Sequence, residues 1–275
     1  MTDADEPLLA AIRAGDDQAL STLLSKHASS IYRFGLKMCG DPEDARDVMQ
    51  ETLLAAAKGV REFRGASSFL TWLYTVARSF CIKKRRASKF APAQTISLNA
   101  QDVDPNIPAP GAGADEAAST RELQLALDRA FASLDPAQRE VLILRDVEGL
   151  TAPEVAEVLG LSVEAVKSRL HRGRAQLRTL LQPVFSLDQR SEDTPASAGC
   201  PDVVTLFSQR TEGDISPSLC EAMERHVASC KRCTAACESL KHTLELCRAD
   251  TSGSVPPEIQ TLVRQAVRQV RRETP

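Results

Sequence analysis

The chain has 275 residues, 43% of them hydrophobic and 4% aromatic, with a net charge of −3. That length allows two or three modest domains, the scarcity of runs rich in Val, Ile, Thr and Tyr argues against a sheet-based fold, and a charge so near neutral excludes a uniformly basic nucleic-acid binder, leaving only local patches. Apolar residues recur three and four apart, which predicts a nearly all-helical chain. The N-terminus, MTDADEPLLA, has no basic segment leading into an apolar run; neither a secretion signal nor a membrane span is read, and the expected compartment is the cytoplasm. In that compartment eight cysteines point to metal or redox chemistry rather than to disulfides. Cys39 and Cys81 stand alone and are read as packing residues; the other six follow residue 199.

Residues 1–88 read as one helical block, with Leu20, Leu23, Leu24, Ile31 and Phe34 on buried faces. Asp41-Pro42 opens a further helix, Pro42 taking its first position. In DPEDARDVMQETLLAA, residues 41–56, Asp44, Asp47, Gln50 and Glu51 form an exposed polar stripe while Val48, Leu53 and Leu54 point inward. FRGASSFLTWLYTVARSFCIKKRR, residues 63–86, sets Phe63, Phe69, Trp72, Tyr74 and Phe80 among Arg64, Arg78, Lys83, Lys84, Arg85 and Arg86. Rings among cations suit single-stranded nucleic acid; the same pattern also fits an aromatic core beside a solvated basic helix end. Residues 89–119 have a linker composition rich in Ala, Pro, Gly and Asp.

Helical patterning returns over 120–182, and LTAPEVAEVLGLSVEAVKSRLHRGRAQL, residues 150–177, reads as a helix-turn-helix. Thr151 caps the first helix, Pro153 sits near its start, and small Ala156 admits a close neighbour. Gly160 takes the left-handed turn, and Ser162 caps the second helix. There Val166, Leu170 and Leu177 face inward, while Lys167, Ser168, His171 and Arg172 share an outer face able to reach base edges and phosphates. Arg169, Arg174 and Arg178 add positive charge. An αα-hairpin with a solvated basic face is the plainer alternative.

A second linker spans 183–199, a cysteine-rich block 200–249, and a tail 250–275 in which TSGSVPP precedes a helix with Ile259, Leu262, Val263, Ala266 and Val270 on one face. Within the block, His226-x3-Cys230-x2-Cys233 places His226 and Cys230 one helical turn apart and lets Cys230 and Cys233 clasp one ion. A closed tetrahedral site needs a fourth ligand, for which Cys200 is the best candidate. Cys220, Cys237 and Cys247 exceed what one such site requires and are possible further ligands, though buried small thiols also serve as packing.

The first block and the helix-turn-helix together resemble the extracytoplasmic-function (group 4, sigma-70 family) sigma factors of bacterial RNA polymerase. DARDVMQET is similar to region 2.2, the 63–86 segment to regions 2.3 and 2.4, and LDPAQREVLILRDVEG with the helix-turn-helix to region 4. The resemblance covers about residues 8–182. It implies that Asp44, Asp47, Gln50 and Glu51 contact polymerase core. It places Arg64 and Ser67 on the loop that receives a flipped −10 base, with Trp72, Arg78, Ser79, Lys83 and Lys84 on the −10 surface. Ser162, Glu164, Lys167, Ser168, His171 and Arg172 then face the −35 groove. Ser79 departs from the pattern, since many members carry Asn there and a hydroxyl makes fewer hydrogen bonds than an amide.

Residues 200–246 resemble the zinc-binding anti-sigma domain, whose H-x3-C-x2-C motif is completed by an upstream Cys or His, and the whole chain resembles the CorE-type metal-responsive sigma factors. The implied fold is all-α: a region 2 bundle at 1–88 and a region 4 helix-turn-helix at 120–182 joined by a flexible linker, with a small helical Cys/His metal-binding domain behind them. The implied function is transcription initiation on promoter DNA with polymerase core, controlled in cis by zinc, cadmium or copper, soft thiolates favouring these ions. No separate anti-sigma factor and no membrane partner are expected, and the final helix is expected to clamp the sigma domains in an off state. A structural zinc site, a thiol redox switch, and a plain helix-turn-helix regulator acting without polymerase are the alternatives. Neither a Ser/His/Asp nor a paired-carboxylate arrangement is visible, and C-x-x-C lies near no βαβ pattern, so the chain is not read as an enzyme.

Overall fold

The computed structural model describes residues 4–90, 114–184, 199–249 and 258–273. Most of both expected linkers and the TSGSVPP break lie outside the described residues. All regular structure among the described residues is helical.

Four helices build the N-terminal bundle: α1 (Glu6–Arg13), α2 (Asp17–Cys39), α3 (Pro42–Gly59) and α4 (Phe69–Phe90). Asp16 caps α2 by accepting from the Gln18 and Ala19 amides at 2.8 and 3.1 Å. Gly40, at φ 75°, ends α2 in the left-handed conformation, and Asp41 at once caps α3, accepting from Glu43 and Asp44 at 2.9 Å. Pro42 holds the first position, as the sequence predicts. Helices α2 and α3 touch at Gly35, where an added Cβ would lie 3.3 Å from the Ala45 backbone. Leu20, Leu23, Leu24, Ile31 and Phe34 are buried as expected. On α4 the i+4 row Phe69, Leu73, Ala77, Cys81 faces inward. The aromatics follow this row into the core: Phe63, Phe69 and Tyr74 are buried, and half-buried Trp72 lies 5.6 and 5.5 Å from the Phe63 and Phe69 rings. The aromatic-core alternative therefore accounts for them better than an exposed stacking platform does. Cys81 is buried and Cys39 lies at the edge of the same core.

The second unit comprises α5 (Ala114–Ser133), α6 (Pro136–Leu142), a π-helical turn (Ile143–Val147), α7 (Ala152–Leu159) and α8 (Val163–Leu181). Helix α5 begins inside the stretch read as linker, where Ala-rich sequence favours helix without apolar periodicity. Thr151 and Glu154 form a reciprocal capping box on α7, Gly160 ends it at φ 65°, and Ser162 caps α8 through the Ala165 amide at 3.1 Å. Val166, Leu170 and Leu177 are fully buried.

The C-terminal segment holds α9 (Val203–Thr211), α10 (Pro217–Ser229), α11 (Lys231–Ala249) and α12 (Ile259–Glu273). Helices α9 and α11 pack against α8, and α12 packs across α2 and α3. One apolar core runs from the first bundle through the helix-turn-helix and includes Cys247 from α11 and Ile259, Val263 and Ala266 from α12. A second, smaller core gathers Val203, Met223, Cys233 and Cys237.

Candidate nucleic-acid interface and metal centre

Helix α8 displays the outer face that the sequence assigns to DNA, but part of that face is covered. Ser162, Glu164, Ser168 and Arg172 are exposed, whereas Lys167 and His171 are half-buried beneath α9 and the connection that follows it. Lys167 pairs with Asp214, and His171 Nδ1 lies 2.8 Å from Ser208 Oγ. Burial, reinforced by nearby Arg174, holds the His171 pKa below its ordinary value, so the neutral ring is favoured.

Arg174, which the sequence offers only as added charge, is 1% exposed. Its guanidinium forks onto Asp146 at 2.9 and 2.6 Å, reaches Glu212 at 2.6 Å, and donates to Ser208 Oγ and Thr211 Oγ1 at 3.0 and 2.8 Å. Asp146 stands on the π-helical turn, the kind of helical irregularity that often marks a functional site. From the same turn, Arg145 donates to Glu212 at 3.0 Å. Burial alone would raise the Glu212 pKa; the charges and hydrogen bonds of Arg174 and Arg145 outweigh it and hold the carboxyl below its usual range. Arg178 donates to the Ala236 carbonyl at 3.2 Å. The one signal for this network in the sequence is a row at 167, 171, 174 and 178, a single stripe of a helix.

The expected −10 surface is also partly engaged. Arg78 and Arg85 both reach Glu140 of α6 at 3.0 Å, and Tyr74 donates to Glu148 at 2.6 Å. Lys84 bridges Asp44 and Asp47 at 3.2 and 2.5 Å, joining an expected −10 residue to two expected polymerase contacts. Arg64, Ser79, Lys83 and Gln50 are exposed, while Ser67 and Glu51 are half-buried. The Ser79 hydroxyl donates to the Val76 carbonyl of its own helix at 2.7 Å.

Cys200, His226, Cys230 and Cys233 converge, with one donor atom from each lying within 4.8 Å of all the others. Helix α10 stops at Ser229, Cys230 is extended at φ −114°, and α11 restarts at Lys231, which turns both sulfurs of C-x2-C towards His226. Cys200 and Cys230 sulfurs are 3.9 Å apart, and His226 Nε2 is 3.2 Å from the Cys233 sulfur. Tetrahedral zinc with Zn–S near 2.3 Å requires sulfurs about 3.8 Å apart, so the donor set and spacing fit such an ion. Burial pushes the Cys233 thiol up to about 12, helped by hydrogen bonds with Cys230 and Cys200; a cation among the sulfurs supplies the charge that favours thiolates. Cys220 and Cys237 line the adjacent small core and Cys247 lies in the larger one; none joins the four.

Among the described residues, no helix is long and apolar enough to cross a membrane. Family models described as Sigma-70 region 2 and Sigma-70, region 4 match residues 23–90 and 124–177, and a zinc-finger family model matches 200–234. The RNA polymerase sigma factor CnrH of Cupriavidus metallidurans is 31% identical over 185 residues, covering 65% of this chain and 95% of that one. ECF RNA polymerase sigma factor SigM of Mycobacterium tuberculosis is 32% identical over 178 residues, covering 65% and 85%. Among solved structures, CnrH in complex with the cytosolic domain of CnrY aligns with a TM-score of 0.47 at 28% identity over 66% of this chain and 99% of that one. RpoE of Bartonella quintana, in complex with the anti-sigma factor NepR, aligns at 0.45 and 23% identity over 58% and 93%. The chain belongs to the extracytoplasmic-function sigma-70 family, the promoter-directing initiation factors of bacterial RNA polymerase, and carries a zinc-finger-type domain behind its two sigma regions.

Proposed function

We propose that this sigma factor reads a −35 element with α8 and a −10 element with the α4 region, and that its own C-terminal segment controls it in response to metal. The observation that carries the reading is the seat of the Cys/His domain: Asp214, Ser208 and Glu212 lie against Lys167, His171 and Arg174 of α8. DNA in the major groove and this domain cannot occupy one helix face together. Helix α12 supports the same reading at the other end, because it lies across α3, which bears the stripe expected to meet polymerase.

Cys200, His226, Cys230 and Cys233 would hold the ion, which supplies the folding energy of a domain with little core of its own. Metal moves the balance between closed and open forms only through differential affinity for the two. An ion satisfied by four tetrahedral ligands favours the closed arrangement; one that demands tetragonal geometry or further thiols such as Cys220 and Cys237 favours another.

Run-off transcription with the full chain, polymerase core and a family-type promoter, titrated with Zn²⁺, Cd²⁺, Cu⁺ and Cu²⁺, tests this. A metal-dependent change in transcript that Cys230→Ser abolishes is expected. Constant transcription would leave initiation intact and reduce the site to a structural zinc.

A further inference from the structure

The side chains of α8 that meet the C-terminal domain make one stripe of donors, Lys167, His171, Arg174 and Arg178, extended by Arg145 from the π-helical turn. The groups opposite them are carboxylates, hydroxyl oxygens and a carbonyl. A row of donors in which lysine and arginine supply the positive charge is also what a duplex backbone meets on a recognition helix. Glu212 and Asp214 flank Gly213, whose φ of 71° turns the chain so that one carboxylate reaches Arg174 and the other Lys167. Both lie on the short connection between α9 and α10, not on the metal cage.

We propose that Ser208–Asp214 is a resident stand-in for a DNA backbone, with Glu212 and Asp214 occupying the positions of two phosphates, so that duplex DNA and the C-terminal domain are rival ligands of one donor stripe. This rests on α8 being the −35 reader. The two ligands respond oppositely to ionic strength. Salt weakens DNA binding by making counterion release less favourable, but it also weakens the internal ion pairs and frees the stripe. The full chain therefore loses DNA affinity with salt less steeply than a variant without the carboxylates.

The test measures binding of a labelled random-sequence 30-base-pair duplex by fluorescence anisotropy at several salt concentrations. The full chain is compared with a Glu212→Gln, Asp214→Asn double variant. Glu221→Gln with Glu238→Gln, exposed acids that are not the carboxylates paired with Lys167 and Arg174, makes the same charge change as a control. The Glu212/Asp214 variant is expected to bind about tenfold more tightly than the control variant, with a steeper salt slope. Affinity equal to the control overturns the proposal. Hydrogen exchange over residues 203–214 then tells why: unchanged protection means the carboxylates do not hold the interface. Lost protection without tighter binding means that the interface opened and α8 does not bind DNA, which removes the −35 reading as well.

Discussion

The two sigma regions are covered by their own C-terminal segment in opposite ways. Over α8 the cover is polar, built from a buried guanidinium and its carboxylates; over α2 and α3 it is apolar, built from Ile259, Val263 and Ala266 with Leu262, Val267 and Val270 beside them. The polar cover depends on geometry, since a buried ion pair offsets its desolvation only when every partner is in place. The apolar cover depends on area and is largely indifferent to salt and to pH. Under the proposed function, a domain that yields to DNA gains from the first kind of cover, and a tethered helix gains from the second.

Removing metal separates the two covers most strongly. Structural zinc contributes on the order of 10 kcal/mol to small domains of this kind, so chelation should unfold α9–α11 and expose α8 while α12 stays docked. Hydrogen exchange should rise over residues 163–178 and remain low over 259–270; equal loss at both would make the covers one cooperative unit. Next in size is Arg174→Ala, which leaves Asp146 and Glu212 without their shared guanidinium and should destabilise the chain by about 3–5 kcal/mol in urea unfolding. Arg174→Lys should rescue little, because an ammonium cannot fork onto both carboxylates. Val263→Asp, which buries an unpaired charge in the apolar cover, should weaken α12 docking by about 2–3 kcal/mol, seen as faster proteolysis of the tail with α8 still protected.

Acidification is the mildest test. His171 titrates below its ordinary 6.5 in the closed form, so as pH falls through 6.5 the open form takes up the proton first and the polar cover loses stability. The depressed Glu212 carboxyl adds stability that is present above its ordinary 4.5 and lost as pH falls below that value. Lys167, Arg174, Glu212 and Asp214 face His171 across this contact. The apolar cover is made by Ile259, Val263 and Ala266, side chains that carry no titratable group. Tail proteolysis should therefore stay constant between pH 7 and 5 while α8 protection declines.

The helix-turn-helix was legible because its signals are local: Thr151, Gly160 and Ser162 act on amides and turns within a few residues. The Cys/His cluster was nearly so, since spacing supplied His226, Cys230 and Cys233, and the need of a tetrahedral site for a fourth ligand pointed to Cys200. The amphipathic face of α12 could be read, but not the groove it enters, which depends on how α2 and α3 stand side by side. Burial of Arg174, and of Glu140 between Arg78 and Arg85, was invisible for the same reason: each joins residues 28 to 62 positions apart. Composition also misled, because rings interspersed with cations look alike whether they face solvent or, like Phe69 and Tyr74, the core.

Helix α11 carries Cys233 in its first turn and Cys247 near its last, so one end belongs to the small core and the other to the large one. Fourteen residues of helix make a rod of about 21 Å. A tilt of roughly 10° about the ligand end would sweep the far end through about 4 Å, more than a close-packed interior absorbs by side-chain adjustment. A slight change in how the cage is held is thus magnified into a lever's stroke at the heart of the sigma domains.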